Sequence, residues 1–275
     1  MCIRDSLIRP SISYGRVASR TIRTIMDNPM KNLGTPKDIF LESIRDCLGK
    51  TEGHPLDQRT NLMQSTDELK QLCSDLRINL NQHLDSLADD LSVSAVARGW
   101  NVHKPANVEG ILEHISEIAK KWGVTDISRS DQEVFSEYVI DSGISDLGCN
   151  ITTIAQNDSP EDRTRLREAI ISSGIGITGA DYAVAETGSI VILPRKGLSR
   201  LVSVVPAVHI ALVRKRDILR SLDDVFLLRR LDYHQEHDMG SYLNFITGPS
   251  RTADIEQTIV IGVHGPKEVH MLLLD

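Results

Sequence analysis

Two carboxylates, Asp181 and Glu186, stand in a stretch that otherwise consists mainly of small and apolar residues. Glu186 directly precedes Thr187 and Gly188, a pair that predicts a tight turn because glycine adopts a positive φ without steric cost. The run after this turn is uncharged and rich in β-branched residues, which is typical of a strand buried on both faces. We therefore predict two short strands here, Tyr182–Glu186 and Ser189–Leu193.

A carboxylate at the end of a strand can act as a nucleophile or as a general acid or base. It can also accept hydrogen bonds from backbone amides and stabilise the turn beside it. The residues alone leave both interpretations open. Glu186 and Asp181 are the candidate catalytic residues, and Thr187 and Gly188 are candidate ligand-binding residues beside them.

A second glycine-containing corner follows a predicted strand at Leu243–Ile246. We predict that a helix begins in this corner, where free N–H groups, hydroxyls and one guanidinium would meet the positive end of the helix dipole. Such a site suits a phosphate or a carboxylate. The alternative is a plain helix cap, in which Thr252 caps the helix and Arg251 pairs with a nearby acid. The candidate ligand-binding residues are Thr247, Gly248, Ser250, Arg251 and Thr252.

The histidines and cysteines give weaker indications of a functional site than the two corners do. His234 and His237 flank Glu236, but the spacing matches neither H-E-x-x-H nor H-x-x-E-H, so we predict no metal site. The cysteines show no C-x-x-C spacing, which disfavours an iron–sulfur cluster or a structural zinc in this chain. Reduced thiols indicate a cytoplasmic protein. The four cysteines are Cys2, Cys47, Cys73 and Cys149.

Composition excludes several classes of protein. The chain has 275 residues, of which 40% are hydrophobic and 25% charged, as in an ordinary soluble protein. A net charge of −7 disfavours nucleic acid or an anionic membrane as the main partner. No apolar run is long enough for a membrane span, and we see no signal peptide or cofactor fingerprint.

Sequence patterns typical of helices dominate the first third of the chain. Patterns typical of alternating helices and strands follow. We expect residues 1–34 to form a mobile arm and residues 35–106 a helical extension, with helices beginning at Thr35 and Ser65. From residue 107 to 275, helices alternate with short apolar runs, including one at Leu201–Val205 that we predict as a strand. This order predicts an α/β domain with a parallel sheet.

Three long segments resemble the LUD-domain family: GITGADYAVAETGSIVIL, RLVSVVPAVHIALV and SYLNFITGPSRTADIEQTIVIGVHGPKEVHMLLLD. The resemblance implies a Rossmann-like open sheet of the ribose-phosphate isomerase and CoA-transferase type. Glu186-Thr187-Gly188 is similar to the Glu-Asn-Gly turn of CoA-transferases, although Thr replaces Asn. His209 and His264 lie in the matching segments and become candidate ligand-binding residues.

The resemblance also implies a function. We expect an accessory or ligand-binding subunit of an iron–sulfur-containing system that oxidises L-lactate to pyruvate. The partners would be iron–sulfur subunits, because this chain lacks clusters and cannot transfer electrons alone, together with a small carboxylate or phosphate ligand. The alternatives are a stand-alone acyl- or CoA-transferase-like enzyme that uses Glu186, and a metabolite-binding regulatory protein. In each case, the corners at Glu186 and Arg251 are expected to face one crevice.

Overall fold

The structure, a computed structural model, describes residues 37–47, 49, 64–155, 159–193, 195, 200–237, 240, 242–253 and 258–275. The chain divides into two compact units, Met1–Met63 and Gln64–Asp275. In the first, α1 spans Lys37–Cys47, and Gly49 adopts a φ of 64°, as suits a helix end. Thr35 and the arm expected at residues 1–34 lie outside the described residues.

The second unit contains seven further α-helices among its described residues. They are α2 (Thr66–Asn81), α3 (Leu84–Arg98), α4 (Val108–Trp122), α5 (Val134–Glu137), α6 (Asp141–Asp146), α7 (Pro160–Ser172) and α8 (Leu222–Glu236). None of the helices that the structure describes is long and apolar enough to cross a membrane.

The strands of the second unit form three sheets. They are β1 (Asn101–His103), β2 (Asp126–Ser130), β3 (Asn150–Ile154), β4 (Ile175–Gly179), β5 (Tyr182–Val184), β6 (Ser189–Ile192), β7 (Val208–Arg214), β8 (Ile218–Leu219), β9 (Asn244–Ile246), β10 (Arg251–Ala253), β11 (Ile259–Ile261) and β12 (Glu268–Leu274).

The central sheet has six strands in the order β1-β12-β7-β4-β2-β3, and every neighbouring pair is parallel. β7 and β12 lie inside this sheet and are buried on both faces, which explains their nearly continuous apolar sequences. A second sheet, β8-β5-β6-β9, contains the predicted hairpin. The expected α/β fold with an open parallel sheet is confirmed.

Two hydrophobic clusters cover the central sheet. On one face, α4 packs with Ile111, Ile115 and Ile118, which recur at helical spacing. Asn107 caps this helix by accepting a hydrogen bond from the N–H of Gly110, and Gly123 ends it. On the other face lie α2, α3, α8 and the second sheet. The central sheet therefore forms the middle of three layers.

Helix α2 begins at the predicted capping box, in which Ser65 and Glu68 bond each other's backbone N–H groups. Its apolar stripe continues in the sequence to Leu87, but the helix ends at Asn81 and α3 begins at Leu84. The stripe crosses this break, since Leu80 and Leu87 are buried in the same cluster. Periodicity therefore identified the buried face but not the break.

Two predicted elements are wrong. The strand expected at Leu201–Val205 is a 3₁₀ helix, Arg200–Ser203. Its Val202 carbonyl oxygen lies only 1.9 Å from where a Cβ on Gly176 would stand, so the helix packs directly over a glycine of β4. The helix expected after Thr247 is replaced by β10, which pairs antiparallel with β11. β11 reads Ile-Val-Ile, and such β-branched runs favour strand pairing over a helix.

Candidate functional site

The turn that follows β5 lies against a helix from the N-terminal part of the chain. β5 ends at Val184, and the N–H of Gly188 donates to the Val184 carbonyl at 3.0 Å across a turn longer than predicted. Gly188 has a φ of 67°, and a Cβ there would stand 2.6 Å from the Ala95 nitrogen and the Ser94 carbonyl carbon of α3. The positive φ and the lack of room for a Cβ therefore both require glycine at this turn.

Three hydroxyl groups join this turn to the second corner. Thr187 Oγ1 donates to Ser189 Oγ at 2.8 Å, and Ser189 Oγ lies 2.7 Å from Thr247 Oγ1. Thr247 follows β9, which pairs antiparallel with β6. The sheet register therefore brings together two segments separated by 58 residues.

The second corner wraps around the C-terminal end of α3. Gly248 has a φ of 100°, and a Cβ there would stand 2.3 Å from the Arg98 carbonyl oxygen. That same oxygen accepts a 2.7 Å hydrogen bond from Arg251 Nη2. A guanidinium at a helix C-terminus complements the negative end of the dipole. The two predicted corners thus meet through α3.

A cavity of about 340 Å³ opens between these corners. We call it the threonine crevice, and its lining residues are Arg98, Thr187, Ser189, Leu222, Phe226, Phe245 and Thr247. The lining combines three hydroxyl-bearing residues and an arginine with two phenyl rings whose centroids are 6.4 Å apart. An amphiphilic surface of this kind suits a small ligand with one anionic end and an apolar body.

The two candidate catalytic carboxylates lie at opposite ends of β5. Glu186 is exposed beside Thr187, and its N–H donates to the Arg220 carbonyl at 2.9 Å. Asp181 pairs with Arg195, and its second oxygen accepts a 2.6 Å hydrogen bond from the Leu193 N–H. Neither carboxylate lines the threonine crevice, although Glu186 directly precedes the lining residue Thr187 in the chain.

Other predicted ligand residues lie elsewhere on the second corner. The N–H of Ser250 donates to the Pro266 carbonyl at 3.0 Å, and Thr252 pairs with Val260 between β10 and β11. His264 is exposed and lines a separate depression of about 360 Å³ with Val204 and neighbouring residues. Ser250, Thr252 and His264 thus belong to the β10–β11 side of the corner.

His209 lies inside the fold. Its Nε2 is 2.8 Å from Thr178 Oγ1, and its ring centroid is 6.1 Å from that of Trp100. Complete burial lowers the pKa of His209 to about 3, so the ring is neutral at neutral pH. Among the residues that the structure describes, neither His209 Nδ1 nor Trp100 Nε1 has a hydrogen-bond partner.

Sequence reasoning missed five residues that line the threonine crevice, among them Ser189, which it placed only in a predicted strand. Leu222 and Phe226 lie four positions apart in α8, so helical periodicity places them on one face, but that pattern shows no ligand role. Phe245 occupies the predicted strand before the second corner. Arg98 gave no local signal, because it lies at the end of a helix that the sequence did not separate from its predecessor.

Comparison with known proteins agrees with the family resemblance. The LUD domain family model matches residues 89–274, beginning inside α3. Lactate utilization protein C 1 of Bacillus mycoides is 30% identical over 196 residues, which cover 70% of this chain and 82% of that protein. Lactate utilization protein C of Halalkalibacterium halodurans is 39% identical over 121 residues, covering 42% of this chain and 53% of that protein.

A solved structure is also similar. The crystal structure of a DUF162 family protein from Deinococcus radiodurans shares 16% identity with this chain, covers 72% of it and 98% of that protein, and gives a TM-score of 0.40. Membership rests on the family model, which spans more than half of the chain, and on the B. mycoides relative. The chain belongs to the LUD-domain family.

Proposed function

We propose that this protein is the ligand-binding component of a lactate utilization system, and that the threonine crevice binds a small hydroxy- or keto-carboxylate. The observation that carries this proposal is the meeting of both predicted corners at one amphiphilic cavity. The names of the relatives support the biological context.

The charge of the lining residues favours an anionic ligand. The seven described lining residues include one cation, Arg98, and no carboxylate. The backbone carbonyl of Arg98 accepts the hydrogen bond from Arg251, which anchors the helix end, and Arg98 itself lines the cavity. A guanidinium recognises a carboxylate through two parallel N–H donors, so Arg98 is suited to hold the anionic end of the ligand.

The three linked hydroxyls favour a ligand that accepts a hydrogen bond. Thr187, Ser189 and Thr247 carry three hydroxyl hydrogens, but the two bonds that link them use only two. Whichever way the chain is oriented, one O–H of the three is left over for a ligand oxygen. It can donate to the carboxylate or to the oxygen on the neighbouring carbon of a hydroxy or keto acid.

The size of the cavity and its apolar lining residues favour a short organic ligand. A cavity of about 340 Å³ falls at the lower end of the range of about 300–1,000 Å³ for small-molecule sites. Leu222, Phe226 and Phe245 offer an apolar surface for the carbon skeleton. This favours a short organic acid over a fully polar ligand such as inorganic phosphate.

Thermal-shift and calorimetric titration with L-lactate, pyruvate, CoA and a sugar phosphate test the proposal. We expect lactate or pyruvate to raise the Tm, because a ligand that binds only the native state stabilises it. Arg98→Gln and Thr247→Val should each weaken binding by about 10-fold or more, since each removes a hydrogen bond to a charged group.

Arg167→Gln is the matched control, because Arg167 is an exposed arginine on α7. It should bind as the wild type does. Binding that is unchanged in Arg98→Gln and Thr247→Val, or a Tm that none of the four ligands raises, would contradict the crevice as a carboxylate site.

The proposed partners are iron–sulfur subunits. The spacing of this chain's cysteines provides no cluster motif, and Cys73 is buried in the core. Electrons from lactate would therefore leave through another protein. Native affinity purification from cells that grow on L-lactate should recover a cysteine-rich iron–sulfur protein, and recovery of this chain alone would argue against such a complex.

Glu186 supports a second candidate function. Glu186 is exposed and directly precedes Thr187, which lines the threonine crevice. Attack of this carboxylate on an acyl-CoA would form an acyl anhydride and release the CoA thiol. Mass spectrometry after incubation with acyl-CoA should then find an adduct on Glu186 that Glu186→Gln lacks. The absence of any adduct on the wild type would exclude this transferase chemistry.

A further inference from the structure

Three histidines from three elements meet at the edge of the central sheet. His103 ends β1, His270 lies in the neighbouring strand β12, and His114 reaches them from α4. Ring centroids are 3.7 Å apart for His103 and His114, 5.0 Å for His114 and His270, and 6.0 Å for His103 and His270. One ring nitrogen from each lies within 4.8 Å of the other two.

This cluster lies on the opposite face of the sheet from the threonine crevice. Residues alternate along a strand, and Met271 and Leu273 of β12 pack in the cluster that includes α3 and the second sheet. His270 and Leu272 point to the other face, where α4 packs. The histidine cluster is therefore separate from the proposed carboxylate site.

The tautomer of His270 is determined by its carboxylate partner. His270 Nε2 lies 2.9 Å from Glu268 Oε1, and an ionised carboxylate can only accept a hydrogen bond. Nε2 therefore carries the hydrogen, and the lone pair is on Nδ1. That Nδ1 faces His114 Nε2 at 3.0 Å, in the middle of the cluster.

Glu268 is itself held in place. Lys121 Nζ donates to both carboxylate oxygens at 2.8 Å, and Trp122 Nε1 donates to one of them at 3.1 Å. Burial opposes ionisation of Glu268, but the hydrogen bonds from Lys121 and its other donors prevail and lower the pKa. A carboxylate that orients a histidine through its outer nitrogen is the usual support of a metal-binding imidazole.

Burial also affects the ionisation of the three imidazoles. Burial, together with the neighbouring rings, lowers the pKa of His114 to about 4. Burial lowers the pKa values of His103 and His270 as well.

We propose that His103, His114 and His270 bind one divalent transition-metal ion of the zinc class, with Glu268 as a positioning residue. Three nitrogen ligands leave the fourth tetrahedral position open for water or a small anion, and His103 is the exposed member of the cluster. Imidazole ligands suit zinc, cobalt, nickel and copper and disfavour magnesium or calcium.

Binding requires only small side-chain movements. Zinc–nitrogen bonds of about 2.0–2.1 Å place tetrahedral ligand nitrogens roughly 3.3 Å apart. His114 and His270 are already at 3.0 Å, and His103, which is exposed, supplies the remaining adjustment. His114 must move its hydrogen to Nδ1, so that Nε2 can bind the metal.

Cobalt(II) titration of the full chain without a histidine tag, after chelator treatment, tests the proposal. Tetrahedral cobalt absorbs visible light, so one equivalent of Co²⁺ should produce visible bands that Zn²⁺ then abolishes. His103→Gln should weaken Co²⁺ binding by about 100-fold or more. Glu268→Gln, which removes an outer partner, should weaken it by about 10- to 100-fold.

His237→Asn is the control, because His237 is an exposed histidine outside the cluster, and asparagine tolerates its φ of 56°. It should bind Co²⁺ as the wild type does, and circular dichroism should show all variants folded. Failure of the folded wild type to bind one equivalent, undiminished binding by His103→Gln, or equal weakening by His237→Asn would each overturn the metal site.

Discussion

Arg251 donates a 2.7 Å hydrogen bond from Nη2 to the main-chain carbonyl oxygen of Arg98, 153 residues away along the chain. Arg98 is the last residue of α3, the helix whose Ser94 and Ala95 pack against the Gly188 turn. This bond therefore ties the second corner to the end of the helix that packs against the first corner.

Replacing Arg251 tests this connection. Arg251→Gln should lower the free energy of unfolding by about 0.5–1.5 kcal/mol, because the Arg98 carbonyl loses its donor. Urea denaturation measures the change. Arg167→Gln, at an exposed arginine on α7, should change stability by less than about 0.5 kcal/mol. An equal effect of both substitutions would show that the Arg251–Arg98 bond contributes nothing.

Gly188 should tolerate substitution by alanine far less well than Gly123, a glycine of similar φ. Gly123→Ala places a Cβ at a φ of 63° in open space and should cost about 1–2 kcal/mol. Gly188→Ala has the same strain at 67°, but its Cβ also meets the backbone of Ser94 and Ala95 at 2.6 Å. Overpacking should add about 1–3 kcal/mol.

Denaturant unfolding of both alanine variants measures that difference. Equal losses of stability would mean that α3 does not press on the turn as the structure describes. A larger loss at Gly123 would contradict the packing argument in the same way.

Asp181 should act on stability rather than on ligand binding. Its carboxylate accepts the Leu193 N–H and pairs with Arg195, away from the threonine crevice. Asp181→Ala should lower the free energy of unfolding by about 1–3 kcal/mol, because the Leu193 N–H loses its acceptor. Arg195→Ala leaves that backbone bond intact and should cost less. Loss of lactate or pyruvate binding by folded Asp181→Ala would instead support the predicted catalytic role.

His209 should make stability depend on pH. Its folded-state pKa is about 3, against about 6.5 in the unfolded chain, so only the unfolded state takes up a proton between those values. Stability should therefore fall as the pH drops below about 6.5, with a slope of up to about 1.4 kcal/mol per pH unit from this residue. His114, with a folded pKa of about 4, adds a similar contribution.

Urea midpoints measured across this acidic range test the assignment. His209→Gln should flatten the pH dependence, because the variant has one titrating group fewer. His237→Asn removes an exposed histidine and should leave the curve as in the wild type. Superimposable curves for His209→Gln and the wild type would contradict the buried neutral state of His209.

Local interactions explain which elements could be predicted. Ser65 and Glu68 cap α2, and Asn107 and Gly123 delimit α4, through bonds between residues a few positions apart. The alternation of helices with apolar runs likewise indicated a parallel sheet. The wrong predictions lie where contacts between distant parts of the chain outweigh the local pattern. The 200–203 segment packs over Gly176, and β10 pairs with β11.

The family, the parallel α/β fold and the two glycine corners at Thr187-Gly188 and Thr247-Gly248 could be recognised from runs of neighbouring residues. That Arg98 lines one cavity with both corners, and that His103, His114 and His270 meet, is visible only in the folded chain. Sheet pairing and burial of apolar surface bring these distant side chains together, and no local spacing records such contacts.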